Sequence, residues 1–223
     1  MASAGSNLGQ SHDVLRDLLH FVSQPLTTLR CALEGSIAQE EVKCAEDVVL
    51  ALEQTDRVIE AVRLMREYLE AEQGCLSAAP VPLSSAVDRV LEKLAVLAEA
   101  RSVRLLACGV SKATVQVRET WLQRALFYLV GALIESETPG RAITVLIEDG
   151  ASQSVISGHS LPAKSSRDCP PRCGPVSNVL GQVKVAIAQR AFESSGAFVE
   201  LYSDDKPGFT IRIPPSAVNK LSA

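Results

Sequence analysis

One helix-forming stretch near the start of the chain constrains the fold more than any other part of the sequence. Between residues 11 and 34, apolar side chains recur alternately four and three residues apart, which places them on one face of a helix packed in a bundle. This face comprises Leu15, Leu19, Val22, Leu26, Leu29 and Leu33. At about 100° per residue, His20 lies roughly 140° from the centre of the face, so we expect its imidazole to face water. Pro25 removes one helical hydrogen bond and predicts a bend one turn past this histidine.

A second amphipathic helix is predicted from about residue 38 to 73, after the helix-terminating pair Gly35 and Ser36. Its apolar face has the same spacing and comprises Ala45, Val48, Leu52, Thr55, Ile59 and Val62. Two long helices joined by a short connection form an antiparallel hairpin, and a lone hairpin offers each apolar stripe only one partner. The pattern therefore predicts a homodimer formed through residues 11–73, preceded by a flexible N-terminus over residues 1–10.

Composition and charge narrow the classes of function. A hydrophobic content of 47% with 22% charged residues indicates a folded chain, and a net charge of -4 argues against nucleic acid and anionic membranes as partners. The longest apolar run, over 125–134, is about half the length needed to cross a bilayer, and the N-terminus lacks the pattern of a secretory leader, so we expect a cytoplasmic protein without membrane insertion. Cys169 and Cys173 have no matching second pair, so no metal is predicted.

The second half of the chain changes from all helix to a mixture of helices and strands. Gly74, Ser77, Pro80 and Pro82 mark a linker over residues 74–82. Beyond it, helices are predicted over 83–100, 119–134 and 176–194, and strands over 103–107, 114–117, 142–147, 152–157, 198–202 and 209–213. This order predicts a two-layer α/β sandwich over 83–216, followed by a C-terminal tail over 217–223.

The segment from His20 to Glu34 resembles the phosphoacceptor helix of bacterial sensor histidine kinases. In that family the histidine is followed by an acidic residue, two variable residues, Thr or Asn, and then Pro-Leu with a heptad run. The resemblance implies that residues 11–73 are a dimerisation and histidine phosphotransfer domain, with two hairpins forming a four-helix bundle and His20 as the phosphoacceptor. Phe21 replaces the acidic residue that serves as the base for kinase chemistry. Gln24 replaces Thr or Asn and can still orient a water or a phosphoryl oxygen.

Residues 83–216 resemble the ATP-binding domain of the same kinases, most clearly over 97–105, 121–140 and 181–213. The fold class implied for the whole chain is α+β: an N-terminal helical hairpin forming a dimeric four-helix bundle, followed by a two-layer α/β sandwich of the histidine-kinase ATPase type.

The residues that hold Mg-ATP in the family are replaced here, which indicates a degenerate ATPase domain with no cofactor. Phe127 and Gly131 take the two positions of the Asn-rich helix. The stretch from Ile156 to Ser160, expected to follow a strand, lacks the adenine-reading Asp. The stretch from Gln182 to Val185, expected to precede a helix, replaces the phosphate-cradling glycine turn. Lys184 is interpreted as solvated surface, and residues 158–175 as an irregular surface loop in place of the nucleotide lid.

Two-domain phosphotransferases with a decayed ATPase domain are a variety of this family, and the pattern is similar to theirs. The favoured function is a two-component histidine phosphotransferase that relays a phosphoryl group between receiver-domain aspartates through His20, without ATP-dependent autophosphorylation. Arg16 and Gln24 would be polar neighbours at the surface where a response-regulator receiver domain docks, and the receiver would bring its own Mg. One alternative is a non-catalytic dimeric pseudo-histidine-kinase that binds a receiver or a kinase. A second is a divergent active sensor kinase.

Overall fold

The computed structural model describes residues 5–38, 44–72, 79–150, 153–161, 179–202 and 207–214. The described elements, in chain order, are α1 (Gly5–Ala38), α2 (Cys44–Glu72), β1 (Ala79–Pro82), α3 (Leu83–Ala100), β2 (Arg104–Cys108), β3 (Thr114–Val117), α4 (Glu119–Ser136), β4 (Ala142–Asp149), β5 (Ser154–Leu161), α5 (Val179–Ser194), β6 (Phe198–Tyr202) and β7 (Gly208–Ile213). The chain divides into two compact units, Met1–Leu69 and Glu70–Ala223. The predicted tail, the cysteines at 169 and 173, and the loop beyond residue 161 lie outside the described residues.

The first unit contains α1 and most of α2, and in the single chain much of the face that the spacing predicted on each helix stays exposed. Leu18 and Pro25 are buried on α1, whereas Leu19, Leu26 and Leu33 from the predicted face are 59%, 46% and 52% exposed. On α2 the apolar residues Leu52, Ile59 and Val62 are likewise exposed. The buried positions in this stretch of α2 are Gln54, Ala61, Leu64, Glu67, Tyr68 and Ala71. Each helix therefore carries two stripes, one buried within the chain and one left open, and single-sequence spacing does not tell them apart.

The second unit is a mixed sheet covered by helices, as the sequence predicted. Five strands are ordered β2-β4-β5-β7-β6; β2 runs parallel to β4, and the other neighbours are antiparallel. A separate two-stranded sheet pairs β1 with β3. Helix α4 contacts both α3 and α5, and the three helices contact β2, β5 and β6. The result is an α+β fold with one helical layer against one face of the sheet.

Alternation along the strands places the core between these layers. Ile143, Val145 and Ile147 of β4 point to the same face and are buried, and Ile156 and Ile211 continue that face on β5 and β7. Helix α3 buries Leu83, Val87, Val90 and Leu94, at the three and four spacing of an amphipathic helix. Aliphatic burial of this extent supplies the main driving force for the unit.

Several element ends differ from those predicted. Helix α1 begins at Gly5, inside the stretch expected to be flexible, and continues past Gly35 and Ser36 to Ala38. Ala79–Pro82, expected to belong to the linker, forms β1. Strand β5 extends to Leu161, beyond the predicted end at residue 157. Cross-strand pairing over its whole length, from Ser154 with Asp149 to Leu161 with Ala142, explains this extension.

Candidate functional site: an exposed histidine on the first helix

His20 lies in the middle of α1 with its side chain exposed. At about 100° per residue, its position is some 140–160° around the helix from the buried Leu18 and Pro25, which explains the exposure. In the described part of the chain, the imidazole has neither a hydrogen bond nor an ion pair with another side chain. Both ring nitrogens are therefore open to a partner molecule.

Two predicted neighbours lie along the same side of α1. Arg16 and Gln24 are each four residues from His20, about 6 Å along the helix axis, and both are exposed. Asp17, which the sequence reasoning did not single out, is also exposed and lies three residues before His20, on the adjacent part of the helix surface. The helix thus presents a cation, a carboxylate and a carboxamide within one turn of the imidazole.

The hydroxyl groups near His20 are turned back onto the helix. Ser23 Oγ donates to the carbonyl oxygen of Leu19 at 2.7 Å, and Thr27 Oγ1 donates to that of Ser23 at 2.9 Å. Such bonds take the hydroxyl hydrogens out of competition for a bound group. The carboxamide of Gln24 is thus better placed than the hydroxyl of Ser23 to meet a ligand of the imidazole.

Pro25 lies inside α1 without interrupting it. Because proline has no backbone N–H, the carbonyl of Phe21 lacks its usual helical partner one turn later. The proline side chain is buried, and the Phe21 side chain is half-buried. Phe21, which occupies the position of the acidic residue in the family pattern, offers no group that could accept a proton.

The sequence predicted a degenerate nucleotide site in the second unit. The two residues that take the positions of the Asn-rich helix, Phe127 and Gly131, both lie on α4. Phe127 is 37% exposed and packs edge-on against Tyr128, with ring centroids 6.3 Å apart. Gly131 is buried beside α3, where a Cβ atom would be 3.9 Å from Leu94 Cδ2. Neither position supplies an oxygen that could ligate Mg²⁺ or a nitrogen that could bind phosphate.

The expected adenine-reading position lies inside a strand, not after one. Gly158 and His159 belong to the middle of β5, so the loop predicted to begin at residue 158 begins no earlier than 162. Phe209 of β7 pairs with Gly158 of β5 and fills the space beside this glycine. A Cβ atom at Gly158 would clash with Phe209 Cε1. Because Phe209 is 1% exposed, its ring has little room to move. An Asp side chain does not fit at this position.

The expected phosphate-cradling turn is also helical. Gln182 to Val185 lie within α5, which begins at Val179, and so they do not precede the helix as predicted. Within a helix, their backbone N–H groups are directed to carbonyls of the preceding turn and not to a ligand. Lys184 lies within α5 and is half-buried. Gln182 to Val185 therefore do not form the glycine turn that the family resemblance implies for phosphate.

The described residues offer neither a cluster of metal-ligating side chains nor a membrane-spanning helix. No group of three or more His, Cys, Asp or Glu side chains within them is arranged to hold a metal ion. Within those residues, no helix combines the length and the apolar character needed to cross a bilayer.

Comparison with known proteins places the fold. No protein-family profile and no curated protein matches the chain. Among solved structures, it is similar to the histidine kinase AdeS from Acinetobacter baumannii, with a TM-score of 0.65 and 16% identity over 88% of this chain and 98% of that one. It is similar to the histidine kinase ThkA in complex with the response regulator protein TrrA, with a TM-score of 0.66 and 13% identity over 94% of this chain and 63% of that one.

A third similar structure is a histidine kinase from Burkholderia phymatum STM815, with a TM-score of 0.52 and 13% identity over 90% of this chain and 98% of that one. At such identities, the likeness concerns the fold and not the chemistry. The chain has a histidine-kinase-like fold.

Proposed function

We propose that this protein is a histidine phosphotransferase of two-component signalling, which accepts a phosphoryl group from the aspartate of one receiver domain and passes it to another. The observation that carries the proposal is the exposure of His20, whose ring is free of protein partners in the described part of the chain. The histidine-kinase-like fold supports it, since the comparison includes a kinase bound to a response regulator.

The reaction uses an imidazole nitrogen as the nucleophile. Its lone pair attacks the phosphorus of the aspartyl phosphate, and the bond between phosphorus and the aspartyl oxygen breaks with its electrons leaving on the carboxylate. The phosphoryl group then resides on His20 until a second receiver aspartate attacks it in the reverse sense. This step needs an accessible, neutral imidazole, and the receiver supplies the Mg²⁺ and acidic residues at its own site.

The neighbours of His20 have supporting roles in this proposal. Arg16 carries a permanent positive charge one turn before the imidazole, where it can attract the phosphoryl oxygens or the acidic site of the receiver. Gln24, one turn after it, offers both a donor and an acceptor. Both are positioning residues at the docking surface.

The proposal includes the absence of ATP-dependent autophosphorylation. Phe127 and Gly131 lack ligand atoms, Phe209 fills the space beside Gly158, and the stretch from Gln182 to Val185 is part of α5. These three features lie on different elements, so no single substitution restores a nucleotide site. The phosphoryl group must therefore come from a phosphorylated protein.

We further propose that the protein works as a cytoplasmic homodimer. The stripe of Leu19, Leu26 and Leu33 on α1 is open in the single chain, and α2 carries a similar stripe that includes Leu52 and Ile59. Pairing such stripes in a four-helix bundle would remove them from water.

A label-transfer experiment tests the function. Receiver domains carrying a radioactive aspartyl phosphate are mixed with the wild-type protein, with His20→Ala and with His12→Ala, the matched control on the same helix. We expect wild type and His12→Ala to take up label as an acid-labile, base-stable phosphohistidine, and His20→Ala to take up none while retaining its mass in solution. Binding of a receiver without uptake of label by the wild type would instead favour the non-catalytic pseudo-histidine-kinase.

A further inference from the structure

A cavity of about 210 Å³ lies in the second unit. It is bounded by β3, the first half of α4, the last turn of α5 and the end of β7. The lining residues are Val115, Gln116, Val117, Trp121, Leu122, Ala125, Ala191, Phe192, Ser195, Ile213 and Pro214. All belong to one compact unit, so the cavity is a feature of that unit alone.

The cavity is separate from the region that corresponds to the nucleotide site. Ile213, which lines it, pairs with Ser154, whereas Phe209 pairs with Gly158, four residues further along β5. Four residues of strand correspond to about 13 Å. On α4, the lining residues Leu122 and Ala125 likewise precede Phe127 and Gly131. The cavity is thus not a remnant of nucleotide binding.

The lining favours a neutral ligand. Among the described residues, the lining contains no Asp, Glu, Lys or Arg, and it consists mainly of aliphatic side chains with the rings of Trp121 and Phe192. A charged group placed there would lose part of its hydration, with no opposite charge among these described lining residues to compensate. Aromatic and aliphatic walls of this kind are typical of small-molecule sites.

Two polar side chains in the lining are available for specificity. Trp121 and Gln116 are both half-buried, and neither the indole N–H nor the carboxamide has a hydrogen-bond partner in the described part of the chain. Ser195, by contrast, already donates its hydroxyl hydrogen to the carbonyl oxygen of Phe192 at 2.7 Å. The cavity therefore offers one obligate donor and one group that both donates and accepts.

Arg124 packs against the tryptophan from outside the cavity. Its guanidinium carbon lies 5.6 Å from the centroid of the Trp121 ring, a cation–π distance. Arg124 is on the exposed side of α4 and is not among the lining residues.

We propose that this cavity binds a small, neutral, two-ring aromatic molecule with a hydrogen-bonding substituent. A cavity of about 150 Å³ lined by apolar side chains is known to accept benzene, so 210 Å³ is sufficient for a second ring. The rings would pack against Trp121 and Phe192, and the substituent would meet the indole N–H and the Gln116 carboxamide. The proposal does not depend on the role of His20.

The test uses 2-naphthol as the probe, with naphthalene and 2-naphthoate as matched compounds that lack the hydroxyl group or carry a negative charge. Trp121 is the sole tryptophan, so the ¹⁵N-labelled protein gives a single indole N–H signal in a heteronuclear NMR spectrum. We expect saturable movement of that signal with 2-naphthol. Naphthalene, which cannot form the hydrogen bond of the hydroxyl group, should bind about fivefold more weakly than 2-naphthol. 2-Naphthoate should bind more weakly still, because its charged group would lose hydration.

Variants decide whether the signal reports this cavity. Ala125→Leu fills it and should abolish saturable binding, whereas Ala95→Leu, on an exposed position of α3, should leave binding unchanged. If Ala125→Leu does not fold, Ala191→Leu fills the same cavity from α5. An indole signal that 2-naphthol does not move, or equal affinity in the filled variants, would overturn the proposal.

Discussion

Asp149 illustrates how a single carboxylate ties a distant segment, residues 111–112, to the hairpin formed by β4 and β5. It accepts hydrogen bonds from Ser111 Oγ at 2.5 Å, from the Lys112 backbone N–H at 3.0 Å and from Ser154 Oγ at 3.1 Å. Ser111 in turn accepts a bond on its hydroxyl oxygen from the Ala113 backbone N–H. The chain between β2 and β3 is thereby tied to the end of β4.

These bonds make part of the stability depend on pH. The Ser111 hydroxyl is the main cause that holds the pKa of the Asp149 carboxyl below its ordinary value of 3.8, and the backbone N–H of Lys112 adds to it. A pKa lowered in the folded state means that the stabilisation is present above pH 3.8 and is lost as the pH falls through the folded-state pKa.

We therefore predict that Ser111→Ala lowers the free energy of unfolding by about 1 kcal/mol at neutral pH, with a smaller loss below the ordinary pKa of the carboxyl. Urea unfolding of both proteins at pH 7 and at pH 3 measures this. Ser136→Ala is the matched control, since the Ser136 hydroxyl donates to the Leu133 carbonyl and to no carboxylate. A penalty for Ser111→Ala that stays constant across this range would contradict the linkage.

At the level of elements, the sequence predicted α3 and β3 with their observed bounds, because α3 has one clear apolar stripe and β3 alternates strictly. It missed β1, since Pro80 and Pro82 indicate a linker and proline cannot donate to a ladder. A strand with a single partner tolerates both prolines, and β1 pairs only with β3 among the described strands.

The candidate site was predictable in part for similar reasons. The exposure of His20, Arg16 and Gln24 follows from helical periodicity, which is a local property. Phe209 fills the space beside Gly158 only because of the register between β5 and β7. The cavity beside Trp121 depends on how α4 packs against α5. Those are contacts between distant residues, and no local pattern contains them.

The open stripe on α1 gives a prediction about assembly. We expect the wild type to be a dimer and Leu26→Glu to shift it towards monomer, because a carboxylate would have to be buried in the interface. Analytical ultracentrifugation at several concentrations measures the change. Leu106→Glu on β2 is the matched control, since Leu106 and Leu26 are 45% and 46% exposed in the single chain. A monomeric wild type, or an equal effect of both substitutions, would contradict dimerisation through this stripe.

At the scale of the whole molecule, the proposed loss of nucleotide binding has to be compatible with a second unit that keeps its fold. The core that supports the fold is intact: Leu94, Leu126, Ile143 and Ile211 are all fully buried. The positions at which we propose that nucleotide contacts are lost lie on α4, β5 and α5, and this core is packed around them. Loss of a ligand site and retention of a fold are compatible, because core packing and ligand contacts use different side chains.

Thermal unfolding in the presence of Mg-ATP tests this separation. A ligand that binds only the folded state stabilises it by mass action, so about 1 mM ATP would add roughly 2.7 kcal/mol for a dissociation constant of about 10 μM and would raise the midpoint by several degrees. We expect no shift beyond that produced by Mg-tripolyphosphate, the control for charge without adenine. A larger shift with Mg-ATP would mean that the ring of Phe209 moves aside to admit the base, and the divergent active kinase would become the better explanation. An unchanged midpoint together with label on His20 would leave a phosphorylated receiver as the source of the phosphoryl group, since the chain then has no nucleotide from which to take it.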